Sequence, residues 1–186
     1  MKILIINNHT KHLTELTNAL EGHDLEVREY MPGMDFGCAD KDLVILSGGG
    51  GEGLEIEDEH KPGKLWYEDE MRFVKSCQKP IIGICMGFEV ISRAYGANVA
   101  KLKKGVDQIF VEFETTDEGT KVLGTKRVKQ FEAHDWSVPQ APEGFKVLAK
   151  SSTGVEIIQH EERPIFATQF HPEKGGTLTL PKLLSV

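Results

Sequence analysis

The sequence predicts an α/β fold in which a mostly parallel sheet carries helices on both faces. Along the first half of the chain, short uninterrupted apolar runs alternate with segments of helical periodicity. Such runs are typical of strands that are buried on both sides. Several of them end abruptly at glycine or polar residues, as strands do when they lead into a loop. The second half contains more strand-like segments separated by turn signals, which predicts a β-rich C-terminal half beside the main sheet.

The elements of the first half follow one another as strand, helix, strand, strand, helix, strand, helix. In the helical segments the apolar residues recur every three or four positions, as on one buried helix face. This order is typical of a parallel sheet whose helices cover its faces. The predicted strands are 2–6, 25–27, 42–46 and 80–84, and the predicted helices lie around 13–20 and over 66–77 and 88–95.

The second half is expected to contribute strands, part of them antiparallel, beside the main sheet. Turn signals at 117–119 and 142–144 separate the strand-like segments. Those segments are 106–113, 121–123, 145–149, 155–158 and 165–170. A length of 186 residues suits a single core. We therefore expect residues 1–186 to form one domain.

The composition is that of an ordinary globular protein and argues against several classes of function. A net charge of −7 speaks against nucleic acid as the main partner, because phosphate binding requires clustered Lys and Arg. Three cysteines without a short-spaced pair form neither a disulfide framework nor a zinc site. The first residues are too polar for a signal peptide, and no apolar run approaches the roughly 20 residues that span a bilayer. We expect a cytoplasmic protein without metal, cofactor or membrane contact.

The strongest chemical signal is a cysteine framed by glycines between a strand and a helix. Gly83, Cys85 and Gly87 form a Gly-x-Cys-x-Gly segment, the layout of a nucleophile elbow. The N–H groups of the following helix are expected to lower the thiol pKa of Cys85. The alternative is a buried structural cysteine, which is the commonest role of a free thiol. Cys38 and Cys77 lack the glycine frame, so we assign that structural role to both.

A thiol nucleophile needs a base, and the base needs a group that orients it. His171 follows a predicted strand and would lie on the same sheet edge as Cys85. Glu173, two residues later, can reach the far imidazole nitrogen and fix its tautomer. His134 is a further candidate for the site. The remaining histidines are expected on the surface or in loops: His9, His12, His23, His60 and His160.

These residues resemble the class I, or triad, glutamine amidotransferases. The similar segments occur in the expected order over essentially the whole chain. They are 45–49 (ILSGG), 80–87 (PIIGICMG), 94–97 (AYGA), 134–138 (HDWSV), 142–151 (PEGFKVLAKS) and 169–173 (QFHPE). The resemblance implies a flavodoxin-like sheet. The segment at 142–151 is similar to the guanosine monophosphate (GMP) synthetase branch of the family.

The resemblance also implies a mechanism. Cys85 would attack the side-chain amide of glutamine, His171 would transfer the protons, and Glu173 would hold His171. The residues whose backbone N–H groups would bind the oxyanion are Met86 and Gly49, and those implied in substrate binding are Gly48, Gly87, Glu89 and His134. A γ-glutamyl thioester would form and hydrolyse. The ammonia would pass to a separate synthetase subunit, most simply one of the ATP-pyrophosphatase type.

The sequence departs from the family pattern in three places. Phe88 and Glu89 stand where the family carries His or Met and then Gln. The glycine loop reads SGGGGE rather than Ser-Gly-Gly-Pro, and an acidic run, expected to be a solvated loop, follows at 52–59. Pro181 lies in what should be a closing helix.

The sequence leaves other interpretations open. One is a γ-glutamyl hydrolase that acts alone, and another is a non-catalytic regulatory homologue. Anthranilate synthase, aminodeoxychorismate synthase and histidine biosynthesis are alternative settings for an ammonia donor.

Overall fold

The computed structural model describes residues 1–49 and 65–185. The acidic run at 52–59 and the end of the glycine loop therefore lie outside the described residues. The elements are β1 (Lys2–Asn8), α1 (Leu13–Ala19), β2 (Asp24–Glu29), β3 (Leu43–Gly49), α2 (Glu68–Ser76), β4 (Ile81–Ile84), α3 (Met86–Ala94), β5 (Ala100–Thr115), α4 (Asp117–Leu123), β6 (Arg127–Ser137), β7 (Phe145–Lys150), β8 (Val155–His160), β9 (Ile165–Thr168), a 3₁₀ turn (Pro172–Lys174) and α5 (Leu180–Leu183).

The described strands form one mixed sheet in the order β2-β1-β3-β4-β9-β8-β7-β5-β6. The pairs from β2 to β9 are parallel, and the pairs from β9 to β6 are antiparallel. The prediction of an α/β fold with an antiparallel, β-rich second half is confirmed. The prediction of a mostly parallel sheet is wrong, because half of the strand pairs are antiparallel: short connections join β7 to β8 and β8 to β9, and β5 pairs antiparallel with both β6 and β7.

The parallel part of the sheet is apolar on both sides, which explains the uninterrupted apolar runs. On β1, Ile3 and Ile5 belong to the cluster that contains Leu16 of α1 and Leu180 of α5. The alternate residue Leu4 belongs to a second cluster, to which α2 and α3 contribute. Burying one such side chain stabilises the fold by about 1.5–3 kcal/mol. The rigid sheet fixes the carboxyl ends of β1, β3 and β4 relative to one another.

Two local predictions concern segments where a helix begins or ends. Residues 121–123 form the end of α4 and not a strand. The Thr116 side chain accepts a hydrogen bond from the Gly119 N–H at 3.0 Å and caps this helix, and Gly124 ends it in the left-handed conformation. Pro181 lies in the first turn of α5, where proline is tolerated. In the two described ranges, no helix is long and apolar enough to cross a membrane.

Candidate active site

Cys85 lies at a sharp turn between β4 and α3, with φ 50° and ψ −105°. A positive φ is rare for a residue with a side chain and is stable only where the surroundings fix the backbone. Here the Cys85 N–H donates to the Thr168 carbonyl of β9 at 2.8 Å, and the Cys85 carbonyl accepts from the Glu89 N–H at 3.1 Å. The sharp strand-to-helix turn predicted from the sequence is therefore present.

The two glycines of the elbow allow α3 to approach the sheet closely. A Cβ on Gly87 would lie 2.3 Å from the Leu46 carbonyl oxygen of β3, and a Cβ on Gly83 would lie 2.5 Å from Ile91 Cδ1. Both distances are shorter than any normal contact. Gly87, implied in substrate binding, is thus placed against β3 and does not border the cavity described next.

A cavity of about 560 Å³ opens at the carboxyl ends of the parallel strands. This volume is in the range of small-molecule sites, and the sheet edge is where open α/β sheets bind ligands. Residues 104–108 of β5 and 133–136 of β6 form its other wall. The predicted site residues that line it are Gly49, Cys85, Met86, Glu89, His134 and His171.

Hydrogen bonds to Glu173 and to Phe131 hold His171 in place. Its Nδ1 lies 2.8 Å from Glu173 Oε1, and both side chains are almost fully buried. Its backbone N–H donates to the Phe131 carbonyl of β6 at 2.9 Å. Pro172 opens the 3₁₀ turn that brings Glu173 back toward the ring. With Nδ1 bonded to the carboxylate, Nε2 is the imidazole nitrogen left for proton transfer.

Gly48 lies between the cysteine and the histidine. A Cβ built on Gly48 would be 2.9 Å from His171 Cε1 and 3.5 Å from the Cys85 Cβ. A side chain there would therefore fill the space in which the two groups meet. In this structure the Cys85 thiol donates to the Ala133 carbonyl at 3.9 Å. Catalytic contacts are often loose without substrate and tighten on binding.

The thiol pKa of Cys85 is raised, contrary to the sequence-based expectation. Burial is the largest cause, and the carboxylates of Glu89 and Glu173 raise the pKa further. The backbone N–H of Met86 acts in the opposite direction but does not outweigh them. The thiol is therefore protonated at neutral pH, and it would need a base to become a nucleophile.

Glu89 lines the cavity, and two further buried carboxyl groups, those of Glu132 and Glu156, interact with His134 of the cavity wall. Glu89 Oε1 accepts a hydrogen bond from Gln169 Nε2 at 2.8 Å, and burial raises the pKa of Glu89 to about 7. Burial and the neighbouring Glu132 also raise the pKa of Glu156 to about 7. A single cation, or one proton shared between two carboxyl groups, would reduce the electrostatic repulsion within such a cluster.

His134 is placed within this acidic cluster. Its Nδ1 lies 2.6 Å from the Trp136 carbonyl, and its Nε2 lies 3.3 Å from Glu132 Oε2. Burial alone would lower the His134 pKa, but the hydrogen bond to Glu132 and the charges of Glu156 and Glu89 together raise it. Both ring nitrogens of His134 thus face hydrogen-bond acceptors, an arrangement that favours the protonated ring.

The sequence interpretation missed His12, which was expected on the surface. The His12 ring lies 4.9 Å from the His171 ring, and His12 lines the cavity together with Thr10 and Lys11. Burial, followed by the charge of His171, lowers the pKa of His12. A signal was available, because these residues directly follow the carboxyl end of β1. Glu132 was also missed, and its position in the middle of β6 gave no such signal.

Comparison with known proteins identifies the family. The sequence profile of the family "Glutamine amidotransferase class-I" matches residues 4–185. A glutamine-hydrolyzing GMP synthase subunit from Methanosarcina acetivorans is 30% identical over 190 residues, covering 100% of this chain and 94% of that protein. The protein of the same name from Pyrococcus furiosus is 41% identical over 100 residues, which are 53% of each chain.

Solved structures support the fold. A protein from Thermoplasma acidophilum has a TM-score of 0.76 at 23% identity, covering 93% of this chain and 84% of that one. A glutamine amidotransferase from Thermotoga maritima has a TM-score of 0.72 at 16% identity, covering 93% and 76%. Because the family profile extends over nearly the full length and a relative is similar from end to end, this chain belongs to the class-I glutamine amidotransferase family.

Proposed function

We propose that this chain is a glutaminase subunit that hydrolyses L-glutamine to glutamate and ammonia and supplies the ammonia to a separate synthetase. The observation that carries the proposal is the buried Cys85, held at a positive-φ elbow and bordering one cavity with the Glu173-bonded His171. Some relatives of similar length are named as the glutamine-hydrolyzing subunit of GMP synthase. These names favour GMP synthase as the complex in which this chain acts. A synthetase of the ATP-pyrophosphatase type is the proposed partner.

The proposed reaction begins with attack of the Cys85 sulfur on the side-chain carbonyl carbon of glutamine. His171 takes the thiol proton during the attack, because the thiol is protonated beforehand. The backbone N–H groups of Met86 and Gly49 stabilise the oxyanion, and each such donor typically contributes about 3 kcal/mol. His171 then protonates the leaving nitrogen, the C–N bond breaks, and ammonia departs. Water, activated by His171, hydrolyses the γ-glutamyl thioester and regenerates the thiol.

The remaining features fit a free amino acid as substrate. Glu89 lines the cavity, and its carboxyl group would face the α-ammonium of glutamine. His134 would bring positive charge toward the α-carboxylate. The strand order β2-β1-β3-β4-β9 supports a flavodoxin-like arrangement. We further propose that residues 1–186 act as one domain in the cytoplasm.

The proposal is tested by measuring glutamate and ammonia release from glutamine, with and without an ATP-pyrophosphatase synthetase subunit from the same genome. Hydrolysis is expected, and it should rise when the synthetase and its nucleotide substrates are present. Nucleotide amination should then proceed with glutamine in place of ammonium salts. A chain that leaves glutamine intact under both conditions would contradict the proposal.

Replacing Glu89 with glutamine tests the departure from the family pattern. In the Glu89→Gln variant, the new side-chain amide still provides an acceptor for Gln169. The substitution removes a charge that raises the Cys85 thiol pKa. We expect kcat/KM for glutamine to change by less than about tenfold, the lower end of what a hydrogen bond to a charged group contributes. Alkylation of Cys85 by iodoacetamide should become faster above pH 7, where the wild-type carboxyl group is ionised.

The control for this comparison is Glu118→Gln, which removes a carboxylate from α4, outside the cavity lining. It should leave both measurements unchanged. A wild type inert toward glutamine, together with a gain of more than about 100-fold in Glu89→Gln, would instead favour the lone γ-glutamyl hydrolase.

A further inference from the structure

A second buried carboxyl group lies outside the cavity and is not used in the proposed reaction. Glu70, in the first turn of α2, is fully buried. Its Oε1 accepts a hydrogen bond from Asn8 Nδ2 at 3.0 Å, whereas its Oε2 has no hydrogen-bond partner among the residues described. Burial raises the pKa of Glu70 to about 8. The Glu70 carboxyl group is therefore mostly protonated at pH 7, and a proton on Oε2 makes this atom a donor that needs an acceptor.

The side chain of Asn8, which contacts Glu70, has an acceptor atom without a donor in the described part of the chain. Asn8 Oδ1 is buried and also has no hydrogen-bond partner within the described ranges. It belongs to the amide whose Nδ2 already donates to Glu70 Oε1. A carboxylic acid and a primary amide can form a ring of two hydrogen bonds. A proton on Glu70 Oε2 that is donated to Asn8 Oδ1 would provide both atoms with partners, which buried polar groups normally have.

Asn8 also contacts the Ser47–Gly49 segment, whose Gly49 N–H is proposed to bind the oxyanion. Its backbone N–H donates to Ser47 Oγ at 2.9 Å, and its Nδ2 lies 3.4 Å from the Ser47 carbonyl. Ser47 Oγ in turn donates to the Gly48 carbonyl at 2.7 Å. A Cβ on Gly49 would lie 2.5 Å from the Asn8 carbonyl oxygen. The position of Asn8 therefore determines where the Gly48–Gly49 segment lies.

We propose that Glu70, in its neutral acid form, pairs with Asn8 and thereby positions the Gly49 backbone N–H for the oxyanion. This inference rests on the proposed function and makes Glu70 a positioning residue. Among the described residues, burial and the Asn8 hydrogen bond are what shift the Glu70 pKa, and no cationic group contributes to that shift. Tyr30 donates its hydroxyl proton to the Trp66 carbonyl, and Asp69 accepts from the Gly33 N–H and is paired with Arg72.

The direction of the pH effect follows from the raised pKa. The folded-state pKa of about 8 lies above the usual value of 4.5. The stability contributed by the protonated pair is thus fully present below pH 4.5 and is lost as the pH rises through about 8. Turnover should fall over the same upper range, because ionised Glu70 can no longer donate to Asn8.

Glu70→Gln is the decisive variant, because its amide can form the same ring without titrating. We expect it to keep at least about a third of the wild-type kcat at pH 7, and to keep that activity at pH 9. The wild type should lose about tenfold relative to this variant between pH 7 and pH 9, as expected for one group that titrates near pH 8. Assays use glutamine and the complex with the synthetase subunit.

Two further variants distinguish a positioning role of Glu70 from a role in packing alone. Glu70→Leu fills the space without hydrogen bonds and should lower kcat by about 10- to 100-fold with little change in KM, as expected for a displaced oxyanion donor. Glu68→Gln, on the same helix, should reproduce the wild-type pH profile. Identical pH profiles of wild type and Glu70→Gln, or an unchanged kcat in a folded Glu70→Leu, would overturn the proposal.

Infrared difference spectra of wild type and Glu70→Gln provide a test that does not depend on activity. A carbonyl band of a protonated carboxylic acid is expected at pH 7 and should disappear as the pH rises above 8. Its absence at pH 7 would overturn the pairing. If the wild type failed to hydrolyse glutamine, the proposed function would fail, and this band would still decide whether Glu70 carries the proton that the pairing with Asn8 requires.

Discussion

Cys85→Ala is expected to lower glutamine hydrolysis by at least about 10³-fold, in line with the loss of a nucleophile in other triad enzymes. The sulfur is the only group of this side chain that can form the thioester, and the residue contributes one small side chain to the core. The melting temperature should therefore change little. Steady-state glutamate production and thermal unfolding are the two measurements.

Cys77→Ala is the matched control, since Cys77 is also a buried free thiol but lies at the end of α2, away from the cavity lining. It should retain full activity. A residual rate above a few per cent in a folded Cys85→Ala would remove Cys85 from the mechanism.

Glu173→Gln should have the second largest effect. The carboxylate lies 2.8 Å from His171 Nδ1 and is almost fully buried, so it both fixes the tautomer and stabilises the protonated ring. An amide of the same shape keeps the geometry but can present its NH₂ group to Nδ1 and favour the wrong tautomer. By analogy with other triads, kcat should fall by about 10- to 10⁴-fold.

The comparison variant for this change is Glu162→Gln, which removes an exposed carboxylate in the turn after β8. It should have no effect on kcat. An unchanged rate in Glu173→Gln would mean that another group orients His171, and the role of Glu173 would then be withdrawn.

The residues of the proposed triad could be chosen from the sequence because local chemistry marks them. Two glycines flank Cys85 at positions that no other residue fits, and His171 and Glu173 are two residues apart. The parallel strands were also predictable, since burial on both faces leaves a continuous apolar run. The 121–123 segment was mispredicted because three residues cannot distinguish a strand from the end of a helix.

Properties that depend on contacts between distant segments could not be predicted. The Cys85 pKa is set by burial and by two carboxylates from α3 and the 3₁₀ turn, and these outweigh the local helix N–H groups. Glu70 and Asn8 are 62 residues apart, and only the fold brings them together. The course of β5 past the cavity likewise depends on two irregularities in its pairing with β6.

The central claim is that Cys85 forms a covalent γ-glutamyl thioester. Rapid acid quenching of the enzyme during turnover with glutamine, followed by mass spectrometry of the intact chain and its peptides, tests this most directly. We predict a mass increase of one glutamyl group that maps to the peptide containing Cys85 and is absent from Cys85→Ala. Turnover of glutamine with no adduct under any quench time, or an adduct on another residue, would contradict the account.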